Sequence, residues 1–141
     1  MPPSAESSRP ATGFPADDAR CPCGSGDVFG ACCAPFLRGA AAPTAVQLMR
    51  SRYTAYAVGD AAYLVETWHP TTRPATIELD PALEWRRLAI LGTDRGGPFD
   101  DRGTVEFDAA WREGEARGRL HEVSRFVRDE GRWRYVDGDV G

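Results

Sequence analysis

The feature that most constrains the fold of this chain is the stretch from Cys21 to Cys33 (CPCGSGDVFGACC), which contains all four cysteines. The cysteines form a C-x-C pair and a C-C pair, and together they offer the four thiolates that a tetrahedral structural zinc ion requires. Glycines at positions 24, 26 and 30 allow the loop to turn back on itself, so that both pairs can meet at one ion. The stretch therefore predicts a zinc-binding knuckle.

The alternative for these cysteines is a pair of disulfides. A bridge within the C-x-C pair or within the C-C pair would close a strained ring, so only cross-pairings between the two are sensible. Residues 1–20 contain no apolar run after a basic start, as a secretory signal would, and no run approaches the roughly 18 apolar residues of a membrane span. We therefore expect a cytoplasmic protein without membrane association, in which reduced, clustered thiols are more often metal ligands.

The stretch also resembles the SEC-C motif, a short zinc-binding sequence that occurs beside many unrelated domains. The resemblance rests on C-x-C-G-S-G, which is followed after a short gap by two adjacent cysteines. It implies a SEC-C knuckle over residues 21–36 with a structural Zn²⁺ ion. Because four protein thiolates leave no coordination position open for water, this zinc would be catalytically silent. The ligands that the resemblance implies are Cys21, Cys23, Cys32 and Cys33.

The rest of the chain has the composition of one compact globular domain. The protein has 141 residues, of which 42% are hydrophobic, and its formal net charge is -4. This acidic balance gives no general electrostatic attraction to nucleic acids or membrane surfaces, so nucleic-acid binding is disfavoured. Residues 1–20 are rich in Pro, Ala and Ser and are predicted to form a flexible tail.

Three helices are predicted at the beginning of this domain. In residues 44–59, apolar side chains recur at intervals of three and four, which predicts a helix with one apolar stripe, Thr44 as N-cap and Gly59 at its end. A second helix is predicted over residues 60–69, ending where the next residue is proline. An Asp-Pro pair predicts a short third helix over residues 80–85.

After the third helix, the hydrophobic period becomes two, which predicts β-strands separated by turns rich in Gly and Asp. Three helices followed by a four-strand antiparallel meander indicate an α+β fold, in which one sheet wraps around the helices. The strands are predicted over residues 88–94, 105–111, 119–128 and 133–136.

The third predicted strand has two unlike faces. If the face with Leu120 and Phe126 covers the helices, Glu122 and Ser124 lie in an apolar layer, where each needs a hydrogen-bond partner or a ligand. Glu122 could then act as a general base, or it could be held structurally by an arginine, for which Arg52 and Arg73 are candidates. If the opposite face is inside, it would suit an anionic ligand. That face contains Arg119, His121, Val123, Arg125 and Val127.

Four motifs beyond the knuckle resemble, in the same order, those of the YchJ-like family of small bacterial proteins. They are MRSRYTAY (49–56), TWHPTTRP (67–74), HEVSRFV (121–127) and WRYVDG (133–138). The resemblance implies a nuclear transport factor 2-like cone over residues 37–141, in which helices close one side of a curved antiparallel sheet around a pocket. The expected pocket residues are Arg52, Tyr53, Tyr56, Trp68, Arg73 and Phe126.

These features favour a binding or adaptor protein. Its knuckle would contact a protein partner, and its pocket would hold a small molecule. The alternative is an isomerase, dehydratase or hydrolase that acts on a small molecule in the pocket, with Glu122 as acid or base and Ser124 and His69 as further catalytic candidates. A third hypothesis, nucleic-acid binding through the knuckle or the arginine-rich strand face, is weakened by the net acidity.

Overall fold

The structure is a computed structural model that describes residues 13–141. The flexible tail predicted for residues 1–20 therefore lies largely outside the described residues. In the part that is described, Ala19 O accepts a hydrogen bond from Phe29 N (2.7 Å), and the rings of Phe14 and Phe29 lie 6.5 Å apart. Phe14 and Ala19 therefore both contact Phe29 of the cysteine loop.

Within residues 13–141, the helical part consists of a 3-10 turn (Phe29–Ala31) and three α-helices, α1 (Ala34–Leu37), α2 (Ala45–Val58) and α3 (Ala61–Glu66). The helix predicted after Thr44 is confirmed as α2. The Thr44 side chain accepts a hydrogen bond from Gln47 N (3.2 Å), and Gly59 ends the helix in the left-handed conformation (φ 86°). Asp60 caps α3 through Tyr63 N (3.1 Å).

The sheet consists of β1 (Leu83–Arg95), β2 (Arg102–Glu113), β3 (Ala116–Asp129) and β4 (Arg132–Val140). Neighbouring strands are antiparallel and follow the order β1-β2-β3-β4, so the predicted α+β meander is confirmed. Register shifts interrupt the pairing, and such bulges bend a sheet locally. They lie between Trp85 and Arg87, between Ile90 and Gly92, and between Arg125 and Phe126.

The helix predicted over residues 80–85 is wrong. Asp80 Oδ1 accepts a hydrogen bond from Ala82 N (2.9 Å), so its side chain stabilises a tight turn and not a helix start. The strand begins directly afterwards at Leu83, and Trp85 pairs with Trp111 on β2. Pairing with a neighbouring strand therefore outweighs the local helix signal.

The second predicted helix is shorter than expected. It ends at Glu66, and the chain then pairs with β4. Tyr135 N donates to Thr67 O (2.9 Å), and His69 N donates to Tyr135 O (2.7 Å). These hydrogen bonds satisfy the backbone in an extended conformation, which replaces the last predicted turn of helix.

Helix α2 lies between the sheet and the cysteine loop. The sequence predicted one apolar stripe, but nine of its 14 residues are buried, including the polar residues Ser51, Arg52 and Thr54. The loop covers the side that a helix of a two-layer domain usually exposes to water. As a result, Cys23 and Phe29 from the loop belong to the same hydrophobic core cluster as residues of α2 and the sheet. Within residues 13–141, no helix is long and apolar enough to cross a bilayer.

Candidate functional site

The four cysteines come together as the sequence predicted. All are free thiols, and their Sγ atoms lie within 4.8 Å of one another. Cys23 Sγ and Cys32 Sγ are 3.6 Å apart. Sulfur atoms bound to one tetrahedral zinc at about 2.3 Å are separated by about 3.8 Å, so the cluster fits a single ion. The group is a possible metal site formed by one short loop.

Glycines allow the loop to close around this cluster. Cys21 N donates to Asp27 O (2.9 Å), which ties the two ends of the turn together. Gly24 and Gly26 have positive φ angles of 79° and 97°, a conformation that other residues rarely adopt. A side chain at Gly30 would approach Asp17 Cβ to 2.8 Å. The predicted need for glycines in the loop is thus confirmed. Gly24 and Gly26 are required by their φ angles, and Gly30 is required by the close approach of Asp17.

Helix α2 supplies hydrogen-bond donors to the cysteine cluster. The Thr54 hydroxyl donates to Cys33 Sγ (3.3 Å), and Arg50 Nη1 donates to Cys23 O (3.0 Å) and lies 3.7 Å from its Sγ. Ser25 Oγ lies 3.2 Å from Cys32 Sγ. Donors of this kind orient metal-binding thiolates and offset part of their negative charge. The cone therefore helps to form the site.

Crowding of the sulfur atoms separates their pKa values. Hydrogen bonds from Cys21 and Cys33 lower the pKa of the Cys23 thiol. Burial raises the pKa of Cys32 to about 11, and the hydrogen bond with Cys21 raises the pKa of Cys33. At least one thiolate is therefore stabilised inside the cluster, which is the form that binds a metal ion.

A cavity of about 180 Å³ lies between α2 and the inner face of the sheet. A cavity of about 150 Å³ is large enough for benzene, so this one has room for a ligand with one ring. Most of its lining is aromatic or aliphatic. The lining residues are Met49, Arg52, Tyr53, Tyr56, Trp85, Phe107, Ala109, Leu120, Glu122, Ser124 and Tyr135.

Glu122 is the carboxylate of this cavity. Its Oε2 accepts hydrogen bonds from Ser124 Oγ (2.7 Å) and from Tyr135 Oη (3.0 Å). Within residues 13–141, no hydrogen bond reaches its Oε1. The structural alternative predicted an arginine partner, but the described partners of Glu122 are these two hydroxyls. A side chain at Gly138 would approach Glu122 Cδ to 2.7 Å, so the glycine leaves room for the carboxylate.

Arg52 is the cation of the cavity, and only 3% of it is exposed. Its Nη1 donates to Leu64 O (2.9 Å) and to Thr67 Oγ1 (2.7 Å). Its guanidinium lies over the rings of Tyr135 (4.6 Å) and Trp68 (5.1 Å). Burial lowers the pKa of Arg52, whereas nearby hydroxyl and carboxyl groups oppose that shift. These contacts stabilise the charge within the core.

Tyr53 and Tyr135 of the cavity remain protonated at neutral pH. Burial raises the pKa of Tyr53 to about 12 and also raises the pKa of Tyr135, which is raised further by Glu122. Tyr135 is therefore a stable hydrogen-bond donor to Glu122. The buried Tyr53 hydroxyl has no hydrogen-bond partner within residues 13–141.

The structure shows which face of β3 is internal. Leu120, Glu122 and Ser124 line the cavity, and Phe126 is buried nearby. The opposite face of β3 forms ion pairs at the surface. It does not face inward, so the alternative in which it binds an anion inside the domain is wrong. These pairs are His121 with Glu106 (2.7 Å), Arg125 with Asp137 (2.6 Å) and Asp139 (2.9 Å), and Arg119 with Asp108 (4.0 Å).

Four candidate residues lie outside the cavity lining. His69 Nδ1 contacts Thr71 Oγ1 (2.8 Å) near the surface, and exposed Arg73 donates to Trp68 O (3.0 Å). Trp68 and Phe126 pack edge-on against Tyr135, at centroid distances of 4.9 and 5.8 Å, so they support the cavity from behind. In contrast, Arg52, Tyr53 and Tyr56 line it.

Several lining residues were not predicted. Trp85 was predicted in a helix that does not form. Tyr135 was predicted on a strand, but no role in the cavity was predicted for it. Phe107 and Ala109 lie two residues apart in the predicted strand over residues 105–111, and this spacing is the signal for their shared inward face. Met49 could have been found from its position one helical turn before Tyr53.

Two family models match this chain. The SEC-C motif matches residues 19–35, and the model named YchJ, middle NTF2-like domain, matches residues 44–138, which is more than half of the chain. The chain belongs to the YchJ-like family. The fold and the cysteine knuckle that the sequence resemblance implied are thereby confirmed.

Relatives of this YchJ-like chain have the same organisation. It is 52% identical to the UPF0225 protein SCO1677 of Streptomyces coelicolor, over 84% of this chain and 94% of that protein. It is also 52% identical to the UPF0225 protein CE1570 of Corynebacterium efficiens, over 87% and 95% of the two chains. Identity at this level over nearly the whole relative indicates one shared domain arrangement.

Solved structures support the same fold. The solution structure of RPA3114, a SEC-C motif containing protein from Rhodopseudomonas palustris, has a TM-score of 0.75 and 38% identity, and covers 86% of this chain and 98% of that chain. The crystal structure of a SEC-C motif containing protein from Psychrobacter arcticus has a TM-score of 0.71 at 23% identity, with coverage of 89% and 85%. The second likeness concerns the fold alone.

Proposed function

We propose that this YchJ-like protein is a binding module that holds a small molecule in the cavity beside Glu122. The observation that supports this most is the carboxylate itself. Its Oε2 has two hydrogen-bond donors, whereas its Oε1 has none within residues 13–141. An acceptor left free in a largely aromatic cavity is a typical anchor for a ligand.

In the same proposal, the cysteine cluster binds a structural zinc ion in a cytoplasmic protein. The support is the donor set, four sulfur atoms within 4.8 Å of one another, with Thr54 and Arg50 as additional hydrogen-bond donors. Four thiolates fill a tetrahedral site, so the ion would hold the loop on α2 and would not contact a substrate. A cytoplasmic location agrees with the free thiols, which reducing conditions preserve.

The cavity can be tested with four one-ring probes, namely phenol, toluene, benzoate and benzylammonium, added to the ¹⁵N-labelled full chain. We expect at least one to shift the amide resonances of Tyr53 and Trp85. Its Kd should be on the order of 1 mM, because about seven non-hydrogen atoms contribute about 0.6 kcal/mol each. The cavity-filling Leu120→Trp variant should lose this binding.

Leu91→Trp is the matched control, since Leu91 is 51% exposed on β1 and its replacement leaves the cavity unchanged. The ¹H–¹⁵N spectrum of each variant reports whether it is folded. If no probe shifts the resonances of the cavity in the wild-type chain, the proposed binding function is wrong.

The partner-docking role of the knuckle stays a prediction. Cys21, Cys23, Phe29 and Cys33 of the loop are buried, whereas the turn over residues 24–28 is exposed, so a partner would contact that turn. Val28, with 43% of its surface exposed, is the large apolar side chain of that turn. The turn also contains Asp27, which would favour a partner with basic groups.

An enzyme is the second candidate, because Glu122 borders a cavity and has one oxygen available as a base. A general base must reach a substrate proton directly or through one water. The test is hydrogen–deuterium exchange at the α-carbons of cyclohexanone in D₂O, followed by NMR. We expect no acceleration beyond the buffer. Acceleration that is lost in Glu122→Gln and kept in Glu106→Gln, a glutamate on the outer face, would establish the enzyme instead.

A further inference from the structure

The charges of the cavity favour a neutral ligand. Among its lining residues, Arg52 and Glu122 are the two charged side chains, and their formal charges cancel. Arg52 is 97% removed from bulk water, and Glu122 is partly buried. A charged ligand would therefore add a net charge to a largely apolar space, which is costly unless a new partner neutralises it.

The polar atoms suit a ligand with a hydroxyl group, which both donates and accepts. The Tyr53 hydroxyl of the lining has no hydrogen-bond partner within residues 13–141 and can act in either role. Ser124 and Tyr135 both donate to Glu122 Oε2, so neither proton is free for a ligand. Arg52 Nη1 is occupied by Leu64 O and Thr67 Oγ1. In contrast, Glu122 Oε1 can accept. An O–H donor suits this position, because hydrogen bonds to a carboxylate are among the stronger ones in proteins.

The shape of the cavity sets the size of the ligand. Its volume of about 180 Å³ fits one ring with a short substituent. The rings of Tyr53 and Tyr56 each lie 6.3 Å from that of Trp85 in an edge-to-face arrangement. Such a group of aromatic side chains offers both faces and edges to an inserted ring.

We propose that the cavity selects neutral one-ring molecules that have a hydroxyl group. The hydroxyl donates to Glu122 Oε1, and the ring contacts Tyr56, Trp85 and Leu120. This inference rests on the small-molecule binding proposed above and names the chemical class of the ligand.

Gly138 is the positioning residue of this site. It pairs with Ser124 across β3 and β4, and a methyl group there would overlap the Glu122 carboxylate. Gly138→Ala therefore displaces the carboxylate without changing the charge of the cavity. Gly92→Ala is the matched control, because a Cβ at Gly92 meets its nearest neighbour, Glu106 Oε1, at 4.0 Å.

The test compares phenol with toluene, its methyl isostere, by NMR titration of the full chain. Phenol is neutral at pH 7, since its pKa is near that of tyrosine at about 10. We expect phenol to bind at least about tenfold more tightly than toluene, and more tightly than benzoate or benzylammonium. The phenol-to-toluene ratio should fall below about threefold in Glu122→Gln and Gly138→Ala, and should stay near the wild-type value in Gly92→Ala.

Each outcome separates the two proposals. If toluene, benzoate or benzylammonium binds as tightly as phenol, the cavity binds small molecules but this inference is overturned. If the phenol preference persists in both Glu122→Gln and Gly138→Ala, the hydroxyl contacts another group and the inference is also overturned. If no probe binds, the binding function itself fails.

Discussion

Chelation of the proposed zinc ion is expected to destabilise the whole protein and not only the cysteine loop. The loop residues Cys23 and Phe29 belong to the core cluster that includes Leu48 and Tyr53 of α2 and Leu88 of the sheet. Structural zinc contributes up to about 10–16 kcal/mol in zinc-finger peptides. A loss of about 5 kcal/mol here would lower the Tm by roughly 15 °C for a chain of this length. Thermal unfolding followed by near-UV circular dichroism measures this.

The alternative outcome is that the loop unfolds locally while the cone remains folded. Hydrogen exchange distinguishes these outcomes, because it reports protection separately for the loop and for the sheet. If chelation exposes only the amides of residues 21–33 and leaves protection of β2 and β3 unchanged, the shared core does not couple the two parts. Thr54→Val should show a smaller effect in the same direction, about 1 kcal/mol, because it removes one hydrogen bond to Cys33.

Replacement of Arg52 by alanine is expected to cost about 3 kcal/mol of stability, or roughly 10 °C in Tm. The change removes a side chain that is 3% exposed and leaves a space in the core. It also removes the donor to Leu64 O and the stacking on Trp68 and Tyr135. Arg52→Ala also removes the cost of keeping a charge in the core, which offsets part of the loss of stability. Urea denaturation measures the difference.

Arg73→Ala is the matched control for Arg52→Ala. Arg73 also donates to backbone carbonyls, those of Trp68 and Glu66, but it is exposed to solvent. Its replacement should cost less than about 1 kcal/mol, because surface substitutions have small effects. Equal costs for the two variants would contradict the buried, stacked role assigned to Arg52.

The sequence predicted the features that depend on local chemistry. Helix α2 lies between its caps, Thr44 and Gly59, because a side-chain cap and a left-handed glycine act within a few residues. The cysteine loop closes because its glycines and ligands are near neighbours in the chain. The alternation of β3 predicted that Glu122 and Ser124 share a face with Leu120.

The features that were missed depend on contacts between distant residues. Residues 80–85 have a good helix signal, but Trp85 pairs with Trp111 on the neighbouring strand. The donors to Glu122 could not be chosen from the sequence, because Tyr135 reaches it from the next strand. Periodicity shows which way a side chain points, whereas its partner depends on the register between strands.

The burial of α2 on two sides has a consequence for how this protein can change during evolution. Thr54 contacts the cysteine cluster, and Arg52 and Tyr53, its neighbours in the helix, border the cavity. A substitution in this helix must therefore suit two environments at once. Sequence drift is expected to be slowest here and faster at exposed turn positions such as Glu115.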